Sequence, residues 1–551
     1  MIPLKLSFSM FMLTLLLSFS SLAQQKIYTK ADTLRGSINE ERAWWDVLHY
    51  DILVKPDYVA KTIQGKVDIT FKVLSLGKTM QIDLQEPMEL TKAYIGNDPI
   101  SYTREGNVYH LSILKELKKD STVKLALAFK GKVKTAVRPP WDGGWIFAKD
   151  KLGRPWMSVA CQALGASVWY PCKDHQSDEP DLGATLKMTV PDSLVAVGNG
   201  RLIEKKVFEP GTITYTWKVK NPINNYNIIP YIGKYVSFEE TFPGEKGPLD
   251  CSYYVLDYNL EKAKTQFKQV PLMLKAFEAG FGPYPFYEDG YKLVESPHLG
   301  MEHQSAVAYG NGFVNGYRGR DLSNSGWGLK WDFIIVHESG HEWFGNNITS
   351  NDLADMWIHE SFTNYSETVF TTYHYGKEAG DAYVQGTRKL ISNDKPIIAN
   401  YGVNEEGSGD MYYKGGNMIH YIKQLFKNDD GFILALREMN KTFYHQTVTT
   451  KQIEDFWSKK AGIDLSKMFD QYLRNTSIPE IAIERNKDGF NYRWINCIEG
   501  YNIPVKLIVN GDPVWLTPTK SYQQFKYANK INSVVVDPNF YAGIKEAVGP
   551  E

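Results

Sequence analysis

Hydrophobic and polar residues alternate with period two through much of the first half of the chain. In GKVDITFKV (65–73), Val67, Ile69, Phe71 and Val73 fall on one side and Lys66, Asp68, Thr70 and Lys72 on the other. TITYTWKV (212–219) repeats the pattern with Ile213, Tyr215, Trp217 and Val219. Alternation of this length predicts half-buried antiparallel strands. Pro and Gly clusters such as RPPWDGGW (138–145) punctuate the region. Residues 24–255 are therefore expected to form an all-β domain. Near Tyr258 the spacing changes to three and four. NLEKAKTQFKQVPLMLKAFEAGFG (259–282) predicts a helix, stopped over Gly280 to Pro283. Helical patterns recur at about 328–344, 358–375, 380–391 and 415–427, so 256–475 is expected to be mainly α. Beyond Pro479 strands return, with a turn at Asn510-Gly511, and 476–551 reads as a small β domain. There is no repeat of fixed period.

The first residues follow a different rule. Lys5 precedes an apolar run to Phe19 and then Ser21-Leu22-Ala23, the pattern of a secretory signal peptide over 1–23. The run is shorter than the roughly 20 residues a spanning helix needs, and no other candidate span is present. The expected mature chain starts at Gln24 and is periplasmic or secreted. Its 62 basic and 63 acidic residues balance, with no basic run, which argues against a nucleic-acid partner. The four cysteines, Cys161, Cys172, Cys251 and Cys497, form no CxxC pair, which excludes a cysteine zinc cluster. An exported chain permits a disulfide, with three pairings open. Nothing in the pattern speaks to oligomeric state.

The chemistry-bearing stretch is FIIVHESGHEWFGNN (333–347). On a helix, His337 and His341 lie one turn apart on one face and can address a single metal ion. Glu338 sits about 100° round from His337. It therefore flanks the metal, where a carboxylate can take a proton from metal-activated water. A catalytic zinc site wants a third protein ligand and an open position. Glu360, at the start of the next helical pattern, is within reach once the chain turns back through GNNITSNDLAD. The plainer reading of HESGH is two packed histidines on a core helix.

With Glu360, HESGH matches the spacing of the zinc aminopeptidases of the aminopeptidase N and leukotriene hydrolase type. Further segments resemble that family in order. GPYPF (282–286) precedes LGMEH (299–303), which is similar to G-A-M-E-N, and YYKGG (412–416) is similar to Y-x-K-G. CQALGASVWYPCKD (161–174) resembles Q-A-x-x-A-R-x-x-x-P-C-x-D, and WIHESFTNYSE (357–367) resembles W-L-N-E-G-F-A-x-Y-x-E. The resemblance implies a thermolysin-like catalytic domain behind the N-terminal β domain, with the cleft between them. It implies His337, His341 and Glu360 as ligands of one zinc ion, Glu338 as general base and Tyr412 as hydrogen-bond donor to the developing oxyanion. Glu302 would grip the free α-ammonium of a peptide, helped by Gln162, with Gly300 and Met301 beside the substrate backbone. Glu367, seven residues after Glu360, would orient a ligand histidine.

The chain also departs from the pattern. His303 and Leu299 stand where Asn and Gly are usual, and His359 and Ser361 flank Glu360 in place of Asn and Gly. Asn404 falls at the counted position of the aspartate used in epoxide hydrolysis, which disfavours that activity. The family's large helical C-terminal domain is not expected here, and a more open site is. The leading expectation is a secreted aminopeptidase acting on peptides with a free N-terminus. The alternatives are an endopeptidase of thermolysin type and an idle peptide-binding protein.

Overall fold

The structure is a computed structural model and describes residues 27–546. The expected signal peptide, 1–23, lies outside the described residues. The N-terminal region is built on an eight-stranded sheet. Its strand Trp45–Asp57 pairs antiparallel with Thr62–Val73 and parallel with Ala184–Pro191. Val67, Ile69, Phe71 and Val73 are all buried, as the alternation requires. A four-stranded sheet that includes Gly144–Lys149, Pro155–Ala160 and Tyr231–Gly233 shares its apolar core. Trp45, Trp145 and Trp169 fill the core of this region.

The expected boundary at residue 255 falls inside a different sheet. Strands Tyr235–Gly244 and Gly247–Leu256 form a hairpin, and the second runs parallel to Tyr291–Glu295. Val307–Tyr309 and Gly300–Met301 complete this five-stranded sheet. Leu249, Cys251, Tyr253 and Val255 therefore belong to the core of the helical region. Period two reports which face of a strand is buried and carries no information on its partner.

The helical region is laid down by local rules. The single helix expected over 259–282 is two, Leu260–Gln266 and Gln269–Phe281, the second ending at Gly282 with φ +97°. Phe333–Gly340 starts at Asp332, whose carboxylate accepts hydrogen bonds from the backbone N–H groups of Ile334 and Ile335. Asp332 is itself fixed by the Tyr309 hydroxyl at 2.7 Å. Trp357–Tyr375 runs beside it, buried from Trp357 to Thr371. Tyr413–Gln424 packs against that helix in turn. After residue 479 come two small sheets. One holds Glu480–Asn486 and Gly489–Ile495, and the other holds Val505–Val509 and Asp512–Leu516. The latter pair turns at Asn510 and Gly511, both with positive φ, as a two-residue hairpin demands. Ile481, Trp494, Leu507 and Val509 share one apolar core with the helices. The C-terminal strands are thus packed onto the helical region instead of enclosing a core of their own. All four cysteines are free thiols. No helix among the described residues is long and apolar enough to cross a membrane.

Candidate active site

His337 sits in the last turn of the helix Phe333–Gly340, and His341 caps its end. Glu360 lies in the first turn of Trp357–Tyr375. The packing of these two helices brings the three side chains together. Glu360 Oε2 lies 3.9 Å from His337 Nε2 and 3.5 Å from His341 Nε2. The far ring nitrogens are engaged elsewhere. His337 Nδ1 is 2.7 Å from Glu367 Oε1, and His341 Nδ1 is 2.9 Å from the Phe344 carbonyl. Those acceptors fix Nδ1 as the protonated atom and leave both Nε2 lone pairs facing Glu360. Glu367 is held in turn by the Tyr383 hydroxyl at 2.6 Å and the Asn364 amide at 3.2 Å. Burial lowers the His337 pKa to about 3 and that of His341 to about 4, so both imidazoles are neutral, the form that binds a metal.

A second group lies beside the first. Glu302 follows the short strand Gly300–Met301 and is 2% exposed. Its Oε1 accepts from Gln162 Nε2 at 2.5 Å and from the Tyr226 hydroxyl at 3.0 Å. Its backbone carbonyl accepts from the Asn346 amide at 2.8 Å. Gln162 and Tyr226 come from the N-terminal region, Asn346 from the loop after HESGH. Tyr226 and Asn346 were missed in the sequence, because no motif spacing marks them. Donor atoms of Glu302, Glu338 and His341 lie within 4.8 Å of one another. The backbone at Gly300 runs against Glu338: a Cβ there would sit 2.4 Å from Glu338 Oε1.

These groups line one cavity of about 540 Å³ between the two regions. Tyr412 precedes the helix Tyr413–Gln424 and lies beside Glu360, its ring 6.0 Å from that of His337. Burial, with the charge of Glu360, pushes its phenol well above the ordinary value. Glu338 is likewise pushed well up, by burial and then by the charges of Glu302 and Glu367. The residues that depart from the family pattern divide. Leu299 lines the cavity. His303 is buried with Nδ1 at 2.5 Å from the Tyr231 hydroxyl, and His359 Nε2 accepts from the Ser350 N–H at 2.7 Å. Ser361 bonds the Met411 carbonyl at 2.6 Å, tying the Glu360 helix to the segment before Tyr412. Asn404 bonds the Ala163 carbonyl at 2.9 Å.

Residues 271–472 match the peptidase family M1 domain, and residues 47–226 match the peptidase M1 N-terminal domain. The chain belongs to peptidase family M1. Mouse aminopeptidase B is 24% identical to this M1 chain over 362 residues, taking in 61% of the chain and 52% of the relative. Leukotriene A-4 hydrolase of Xenopus laevis is 24% identical over 333 residues, 57% of the chain and 51% of the relative. The chain thus spans about half the length of the curated relatives it matches. An M1 zinc metallopeptidase from Deinococcus radiodurans, solved with a Tyr-Ser-Ala substrate, aligns with a TM-score of 0.66 at 20% identity, covering 80% of this chain and 97% of that one. A two-domain M1 zinc metallopeptidase bound to L-tryptophan aligns at 0.65 and 20%, covering 78% and 94%. These likenesses establish the two-region M1 fold, a β-rich N-terminal part followed by a helical catalytic part.

The M1 triad fits zinc. Two neutral imidazoles and one carboxylate are a catalytic zinc donor set. All three ligand atoms converge within 4.8 Å, and the buried Glu360 Oε2 has no hydrogen-bond partner among the described residues. A buried carboxylate oxygen left bare is costly, and a cation between the three residues removes that cost.

Proposed function

We propose that this M1 chain is an exported zinc aminopeptidase that hydrolyses the first peptide bond of peptides with a free N-terminus. The observation that supports this best is the short separation of Glu302 from the hydrolytic centre. Glu302, Glu338 and His341 place their donor atoms within 4.8 Å of one another. A fixed anion that near the triad leaves room for an ammonium and one peptide bond. A chain continuing past it would press an uncharged amide on a buried carboxylate. The Tyr-Ser-Ala substrate of the Deinococcus radiodurans structure supports peptides as the substrate class.

In this reading His337, His341 and Glu360 hold the zinc ion, and Glu367 fixes the tautomer of His337. Bound zinc supplies the electrophile that polarises the scissile carbonyl and lowers the pKa of water toward about 7. Glu338 takes the proton from the attacking water and passes it to the leaving amine. Tyr412 stays protonated and donates a hydrogen bond to the carbonyl oxygen as negative charge develops there. Glu302, with Gln162 and Tyr226, binds the α-ammonium and sets which bond lies over the centre. Gly300 and Met301 form the wall along the substrate backbone, and Gly300 leaves Glu338 its space. Export rests on the pattern of residues 1–23.

One peptide offered free and N-acetylated, with and without chelator, tests the reading. Release of the first residue from the free form alone, abolished by chelator and restored by zinc, is the expected result. Cleavage of the acetylated form at internal bonds would instead make the chain an endopeptidase. Zinc binding with no cleavage across a panel of first residues would make it an idle peptide binder.

A further inference from the structure

We infer that Glu406 selects peptides whose first residue is lysine or arginine, an inference that rests on the aminopeptidase reading and names its substrate class. Glu406 lines the same cavity as the triad. It takes no part in holding metal, gripping the ammonium or moving a proton. Its carboxylate meets no cation and no hydrogen-bond donor among the described residues. Lys395 is the charge that acts on it, and the Lys395 amine reaches only the backbone carbonyl, at 3.5 Å. Burial pushes its carboxyl above the ordinary value, the mark of an acid with too little solvent and no partner. Its charge is felt at both Glu360 and Tyr412, which places it near the reacting centre.

The loop carrying Glu406 is held on the side of the cavity where the amine is gripped. Asn404 bonds the carbonyl of Ala163, whose neighbour Gln162 bonds Glu302. Val403 and Asn404 press on Gly36, where a Cβ would lie 2.2 Å from the Asn404 nitrogen. Asn400 donates to the Tyr28 hydroxyl at 2.6 Å, and Tyr28 in turn bonds Glu405. The N-terminal segment therefore straps this loop in place.

With an ammonium on Glu302 and the scissile carbonyl at the triad, the first side chain leaves the Cα between them, toward this wall. Tyr317, Leu322, Leu390 and Met411 give the wall an apolar lining that suits a methylene stem. A partly desolvated carboxylate in the same cavity is completed by a cation. An acidic first side chain would meet repulsion from Glu406.

The test is kcat/KM for the zinc-loaded enzyme on fluorogenic amides of lysine, arginine, norleucine and glutamate, with zinc content and circular dichroism checked for each variant. Lysine should exceed norleucine, its uncharged near-isostere, by about tenfold or more. In Glu406→Gln that ratio should fall to about one, and in Glu406→Lys glutamate should overtake lysine. A wild-type ratio near one, or a ratio unmoved in Glu406→Gln, overturns the assignment while the aminopeptidase reading stands on norleucine turnover. No turnover of any of the four amides removes both. Should the variants not fold, competitive inhibition of the unaltered enzyme by lysinol and norleucinol decides. Lysinol about tenfold tighter supports the role of Glu406, and equal inhibition overturns it.

Discussion

The two ends of the cavity are built in opposite ways. The metal end comes from one stretch of chain: a helix end with two histidines, a loop, and the first turn of the next helix. The end proposed to grip the amine is assembled across the fold, Glu302 meeting Gln162 over 140 residues and Tyr226 over 76. The metal end depends on packing inside the helical region. The amine end depends on how that region docks on the N-terminal sheets, a contact that also carries Asn227 on Asn346 at 2.7 Å and Asn199 on the Gln304 carbonyl at 2.6 Å. A disturbance between the regions should therefore loosen the choice of bond before it costs metal.

Substitutions can break or sharpen that contrast, and the largest effects belong to the metal end. Glu338→Gln should lower kcat by about 10²–10⁴-fold with one zinc per chain retained, read by single-turnover kinetics and metal analysis. Loss of zinc in that variant would move Glu338 into the ligand set. Tyr412→Phe should cost about 10²–10³-fold in kcat with KM little changed. An effect confined to KM would make Tyr412 a binding residue. At the amine end, Glu302→Gln should lower kcat/KM on free peptides by about a hundredfold and leave zinc in place. It should also erase the preference over N-acetylated peptide, and if that preference survived, the amine would be gripped elsewhere.

Smaller effects probe the support of each end. Glu367→Ala should weaken zinc binding by about 10–100-fold, measured by competition with a chelator, because His337 loses the acceptor on Nδ1. An unchanged affinity would mean that packing alone orients the ring. Tyr226→Phe removes one hydrogen bond to Glu302 and should raise KM by about threefold to tenfold with zinc affinity untouched. A fall in zinc affinity in Tyr226→Phe would show the two ends to be coupled, contrary to their separate construction.

Much of the metal end was legible because its geometry is local. A spacing of four places His337 and His341 on one face of any helix. A spacing of seven places Glu367 below Glu360, and the structure sets it against His337. Tyr226, Asn346 and Glu406 had no such signal: each is an ordinary residue in a loop or short turn, and only the folded chain brings Tyr226 and Asn346 to Glu302 and Glu406 to the cavity. His303 and His359, which stood out as departures, are tied into buried hydrogen bonds with Tyr231 and Ser350. The boundary at 255 failed for a related reason, since strands Tyr235–Gly244 and Gly247–Leu256 carry the same alternation as those before them yet pair with Tyr291–Glu295.

What the residues determine by themselves is whatever depends on short separations along the chain. That includes strand faces, the Asp332 cap, the stop at Gly282, the turn at Asn510-Gly511 and the relation of HESGH to one metal. Tertiary structure decides what depends on long separations. It chooses which strands share a sheet and whether the last strands enclose a core or lend one. It chooses which side chains grip Glu302, and among the described residues it leaves the Glu406 carboxylate without a hydrogen-bond or ion-pair partner. The reason is physical: backbone sterics and hydrogen bonding act over a few residues, while burial and pairing energies depend on neighbours that only the folded chain supplies.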